Sequence, residues 1–155
     1  MAWSASKIFQ AAITDALNST ASLNLDGDTL KVALFDNSIT PDRTVSAANS
    51  AYGAGVWASG GVSDASGWPA AGRALASVTS TASAGTYTLD AADTASANST
   101  TTLSANYGCL IYNDTLTTPV ADQGICFLYF GGASSVTLGT YTIVWNSSGL
   151  ANNTV

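Results

Sequence analysis

The sequence predicts a mainly β chain: one antiparallel β-sandwich or jelly-roll-like domain carrying a single N-terminal amphipathic helix. Three observations predict it. Helix formers are scarce: all ten acids are Asp, with no Glu, and Asp, Ser, Thr, Asn and Gly favour turns, caps and strand faces over helix interiors. Roughly six to eight short runs of β-branched and aromatic residues lie between turn clusters, the spacing of a sandwich. Residues 99–132 are the most explicit of these patterns. Their two apolar arms, 109–112 and 125–130, flank a polar connection, as expected of a central hairpin covered on both faces.

Taken in order, residues 4–17 predict the helix. Ala5, Ile8, Phe9, Ala12, Ile13, Ala16 and Leu17 recur at helical spacing. Ser4 is the expected N-cap, Trp3 a staple before it, and Asn18-Ser19-Thr20 the stop. This helix either plugs one end of the β body or reaches out as an arm to a neighbouring subunit. The turn around Asp26-Gly27-Asp28 leads into a strand over residues 29–35. Asp26 and Asp28 are read as turn formers rather than calcium ligands, because an EF-hand loop needs further acids and a closing Glu. Residues 36–69 predict a long irregular segment in which Tyr52, Trp57 and Trp68 interleave with glycines. Such aromatics anchor a loop on its own sheet or on another protein; the alternative is a carbohydrate-stacking platform.

Strands follow over 71–81, 85–89 and 94–97, then the hairpin, then 135–138 and 140–146. The last alternates Tyr141, Ile143 and Trp145 inward against Thr140, Thr142 and Val144 outward. The β body thus runs from about residue 25 to 146, and residues 147–155 read as a polar tail. Cys109 and Cys126, the two cysteines, fall opposite or nearly opposite across the hairpin. They are expected as buried free thiols, with a strained cross-strand disulfide as the alternative.

With 155 residues, the chain is expected to be one domain, 1–155, able to bury roughly 70% of its unfolded surface. A net charge of −6 opposes binding to nucleic acid or to an anionic membrane, and no apolar run reaches the length of a membrane span. The N-terminal stretch lacks a basic leader with an apolar core, so folding in a cytosol is expected. Charged residues are only 9% of the chain, leaving a surface of hydroxyls, amides and small side chains suited to packing against copies or a partner.

No catalytic constellation stands out. The chain has no His, which removes the usual general base and the usual triads. Two Cys without His make neither a zinc cage nor an activated thiol. Asp90 and Asp93 are the other close carboxylate pair, and a turn role outweighs a glycosidase role there. Neither an enzyme, a cofactor nor a bound metal is expected.

The order and spacing of several segments resemble a family of small structural proteins encoded by tailed bacteriophages. The segments are Leu25 with Asp28-Thr29-Leu30-Lys31-Val32-Ala33-Leu34, Thr40-Pro41-Asp42, and Gly67-Trp68-Pro69-Ala70-Ala71-Gly72-Arg73-Ala74-Leu75. They continue with Leu89-Asp90-Ala91-Ala92-Asp93, residues 107–112, Phe130-Gly131-Gly132, Val136, Gly139-Thr140-Tyr141-Thr142-Ile143-Val144-Trp145 and Gly149. Residues 46–66 depart from the family's tighter segment. The resemblance implies a non-enzymatic virion component made in the bacterial cytoplasm. The charge-poor β body favours a head decoration (cement) or minor capsid protein on the capsid surface, bound to the major capsid protein as a symmetric oligomer such as a trimer. A minor tail or fibre-associated protein and a carbohydrate-binding β module are the alternatives. The expected partner-facing residues are Trp3, Ile8, Phe9, Tyr52, Trp57, Trp68 and Arg73.

Overall fold

Antiparallel strands carry most of the regular structure, as the shortage of helix formers requires. The structure, a computed structural model, describes residues 3–154; the start of the expected leaderless N-terminus (Met1, Ala2) and the end of the expected tail (Val155) lie outside the described residues. In chain order the elements are β1 (Lys7–Ile8), α1 (Gln10–Asn18), β2 (Leu30–Phe35), α2 (Ala47–Ser50), a 3₁₀ turn (Gly55–Ala58), β3 (Gly61–Val62) and β4 (Arg73–Ala74). Then come β5 (Thr79–Ser83), β6 (Thr86–Asp90), β7 (Thr94–Ala95), β8 (Thr101–Asn113), β9 (Gly124–Gly139), β10 (Thr142–Ile143) and β11 (Ala151–Thr154).

The principal sheet runs β1-β9-β8-β2, with β3 and β4 both on the outer edge of β2. The expected hairpin is its centre: Leu110 faces Phe127 and Ile111 faces Cys126. Because cross-strand partners share a face, register sorts the core into two layers. On one face lie Ala33, Phe35, Leu110, Tyr112 and Phe127. Aromatic side chains cover it: Trp57 packs edge-on to Phe35 with centroids 5.0 Å apart, Phe9 to Phe127 at 5.3 Å, and Tyr52 stacks on Tyr112 at 4.9 Å. On the other face lie Leu30, Val32, Leu34, Cys109, Ile111 and Cys126. Leu89 of β6 and Ile143 of β10, with Tyr141 and Leu150 in the connections just before β10 and β11, join the same buried cluster. The body is therefore sandwich-like, as expected.

Cys109 and Cys126 are free and buried. They stand on adjacent strands but not opposite one another, since Cys109 faces Leu128 and Cys126 faces Ile111. Burial pushes the Cys126 thiol up to about 12 and holds Cys109 well above the ordinary range. Both act as small apolar side chains.

Several expectations need correction. The helix starts at Gln10 rather than at Ser4, and Phe9 takes the cap position. Residues before it are extended because the far end of the chain offers better partners. The Tyr129 amide donates to the Ser6 hydroxyl (2.9 Å), and the Phe9 amide donates to the Ile125 carbonyl (3.0 Å). The stop falls as expected, with Ser19 left-handed at φ 55°. Second, the presumed polar tail contains a strand: β11 pairs with β6 from Ala151 opposite Leu89 to Thr154 opposite Thr86. Third, β9 continues unbroken through residues 135–138, so no separate strand begins there. The run expected over 71–81 divides instead into β4, on β2, and β5, on β6.

The glycine-rich loop before β4 is pinned by one carboxylate. Asp64 accepts from the Ser66 amide (3.0 Å) and hydroxyl (2.8 Å), from the Gly67 amide (3.1 Å), and from the Thr102 amide on β8 (2.8 Å). Bonds to Thr102, Ser66 and Gly67 favour the ionised form and hold its pKa at about 2, down from an ordinary 3.8. The depressed value means that the unfolded chain binds the proton first as pH falls. The stabilisation is complete above 3.8 and is lost as pH drops through about 2. Urea midpoints measured from pH 5 downward should therefore fall less steeply across that window for Asp64→Asn than for the parent chain. Parallel curves would remove Asp64 from this role.

Candidate functional site

The structure gives most of the seven expected partner-facing residues to the interior. Trp3 and Trp68 are fully buried, Phe9 likewise, and Trp57 is 2% exposed. Trp3 donates its indole N–H to the Asp36 carbonyl (2.7 Å) and contacts Trp57, Phe127 and Tyr129. Trp68 packs edge-on to Tyr141 at 5.7 Å. These four hold the core, and a stacking platform built on Trp57 and Trp68 has no exposed ring to offer. Tyr52 is half-buried against Tyr112, and Arg73 is half-buried on β4 beside Val32. Ile8, also half-buried, borders a surface groove.

Three of the four paired acids are spent on local geometry. Asp28 accepts from the Asn24 amide (3.0 Å) and the Asn113 side-chain amide (2.6 Å), tying the turn before β2 to the end of β8. Asp90 accepts from the Ala91 amide (2.9 Å), and Asp93 from the Trp145 amide (3.0 Å). Asp93 so positions the indole of Trp145, whose N–H reaches the Ala92 carbonyl and the Thr94 hydroxyl.

What the surface does offer is an open apolar groove of about 390 Å³ between α1 and the β5–β6 hairpin. Ile13 and Leu17 from α1, Leu23 and Leu25 from the segment after it, and Leu89 and Ile125 from the two sheets line it. Asn24, Asp26, Ser80 and Tyr87 supply its polar atoms. Its cause lies in the helix. The apolar stripe of α1 is wider than its neighbours can cover, so within α1 only Ala12 is buried and Leu17 stands 80% exposed. Sequence reasoning left that stripe open between plugging the β body and docking on a neighbouring subunit. The signal it passed over is that Ala16 and Leu17 occupy the last turn, immediately before the stop, where covering elements run out.

No known protein family, curated protein or solved structure matches the chain.

Proposed function

We propose that the chain is a structural component of a bacteriophage virion, a head decoration or minor capsid protein that docks on the major capsid shell and stabilises it. The observation that carries the reading is the groove along α1, with Leu17 on a surface otherwise dominated by hydroxyls, amides and small side chains. Covering a large exposed leucine contributes about 1.5–3 kcal/mol. Repeated over the copies of a symmetric assembly, such increments accumulate into shell stability, because the protein binds the assembled lattice in preference to its dissociated subunits. The order and spacing of segments from Leu25 to Gly149 that resemble small phage structural proteins supply the biological context.

The test is direct imaging of particles carrying the protein, together with binding of purified protein to undecorated shells. Wild-type protein is expected on the head. Leu17→Asp is expected to bind shells at least about tenfold more weakly, with an unchanged urea midpoint because the side chain is solvent-exposed in the free protein. Location on tails alone would replace the head reading by a tail one. Absence from particles and indifference to shells would reject both.

A further inference from the structure

The three-stranded sheet β11-β6-β5 ends at β5, and no described strand pairs with its far side. The hairpin that makes this edge is regular: Thr79 to Ser83 pair with Asp90 to Thr86 without a bulge. Ala84 and Gly85 join them, both at positive φ (49° and 78°), as a two-residue type I′ turn requires. Such a turn makes its flanking residues, Ser83 and Thr86, a hydrogen-bonded pair, and these pairs alternate along an antiparallel ladder. Thr79, Thr81 and Ser83 therefore bond to β6, whereas the amides and carbonyls of Ser80 and Ala82 point outward. Ser80 is half-buried and the rest of the strand is exposed.

Nothing within β5 guards this edge. Sheet edges are ordinarily blunted by a lysine, a proline, a bulge, extreme shortness or a covering element. The principal sheet follows that rule: β3 and β4 cover β2 on one side, and on the other β1 is a two-residue strand carrying Lys7. At the opposite edge of the small sheet, Ala151 and Asn152 of β11 line a cavity together with Ser6 and Ile8. By contrast, β5 reads Thr-Ser-Thr-Ala-Ser, with neither a charge nor a proline. Outward donors and acceptors at a strand's spacing are matched by another strand.

We propose that β5 pairs antiparallel with β5 of a second copy of the chain, across a twofold axis at Thr81. In that register Ser80 faces Ala82 of the partner subunit, so outward groups meet outward groups and each such pair exchanges both its hydrogen bonds. The pairing uses the whole strand, with Thr79 facing Ser83 of the partner subunit. Thr81 meets its own twin on the axis and continues the row that it forms with Thr88, a cross-strand pairing that hydroxyl-bearing side chains favour. On the other face only the small side chains of Ser80 and Ala82 meet. No like charges oppose one another there, although each copy carries a net charge of −6. The contact is also closed: one twofold uses both β5 edges and leaves neither open to further chains. Because opposite residues share a face, the two apolar grooves, each lined by its own Ser80, open on the same face of one continuous sheet. The pairing stands on the strand itself and does not depend on the docking reading.

The test is sedimentation velocity of the full chain at concentrations up to about 1 mM, with Thr81→Lys, Thr81→Asp and Ala82→Pro, each fold checked by circular dichroism. Wild type is expected to dimerise, with hydrogen exchange at the Ser80 and Ala82 amides slowing as the dimer forms. Thr81 is exposed, and either charged variant sets like charges face to face on the axis, which is expected to weaken association at least about tenfold. Mixed in equal amounts, the two are expected to form a heterodimer tighter than either variant's homodimer, an outcome that a purely structural role of Thr81 does not produce. Ala82→Pro removes an outward amide that β6 does not use, and a similar loss is expected. A wild type that stays monomeric over the whole range would overturn the proposal and leave the edge to a strand of another protein. Dimers that survive Ala82→Pro, or a Lys/Asp mixture no tighter than its components, would put the contact elsewhere and overturn it as well.

Discussion

Trp68→Ala is expected to unfold the chain rather than loosen its hold on a partner. The indole is fully buried, packs on Tyr141, and projects from the Asp64–Trp68 bridge that anchors the loop before β4. Truncating a buried Trp removes about 3–5 kcal/mol, which is comparable with the whole stability of many domains, about 5–15 kcal/mol. The indole N–H makes no hydrogen bond within the chain, so the loss is of packing. Trp68→Phe should accordingly keep most of the stability. Urea unfolding followed by circular dichroism measures both. A Trp68→Ala chain with a wild-type midpoint and impaired particle attachment would place this ring on the surface.

Gly72→Ala should cost nearly as much for a single added methyl group. Gly72 is buried at φ +77°, in the left-handed region, with its amide bonded to the Pro69 carbonyl (2.8 Å). A Cβ there would run into the Val32 carbonyl and lie 2.8 Å from the Ala33 amide nitrogen, both backbone atoms of the buried strand β2. The left-handed conformation costs a non-glycine residue about 1–2 kcal/mol, and overpacking adds about 1–3 kcal/mol. Neither backbone can yield without breaking the β2–β4 pairing at Val32–Arg73. The midpoint should therefore drop by an amount equivalent to about 3 kcal/mol. Gly53→Ala makes the control: it too has positive φ, but nothing lies within 4 Å of its Cβ. It should lose only the conformational part.

These two positions also mark how far the sequence could be read. Strands whose signal is local were legible: Leu30–Phe35 with its alternating apolar face, Thr86–Asp90, and the paired arms of the hairpin all form where pattern placed them. Elements decided by distant partners were not. Residues 4–9 carry helical spacing, yet extend because β9 receives them. Ala151–Thr154 carries no apolar pattern at all, and is a strand because β6 presents an open edge to it. Trp57 and Trp68 sit among glycines and read as loop aromatics of either kind, packed or displayed. Only the three-dimensional path that folds the loop onto the sheet decides between the two. The groove shows the same limit in reverse. Its helix was found, but the shortfall of neighbours over Leu17 is a property of the assembled layers and leaves no periodic trace in the chain.

The pairing of the N-terminal segment with β9 has a consequence for biosynthesis. Ser6 and Tyr129 are 123 residues apart in the chain, so the earlier segment must wait for a much later one before it can close. Until then Trp3 and Phe9 remain uncovered on a nascent chain, and loop-closure entropy opposes any early capture. This edge of the sheet therefore closes late, after β9 has been made, with two aromatic rings exposed until then to whatever chaperone or neighbouring chain meets them first.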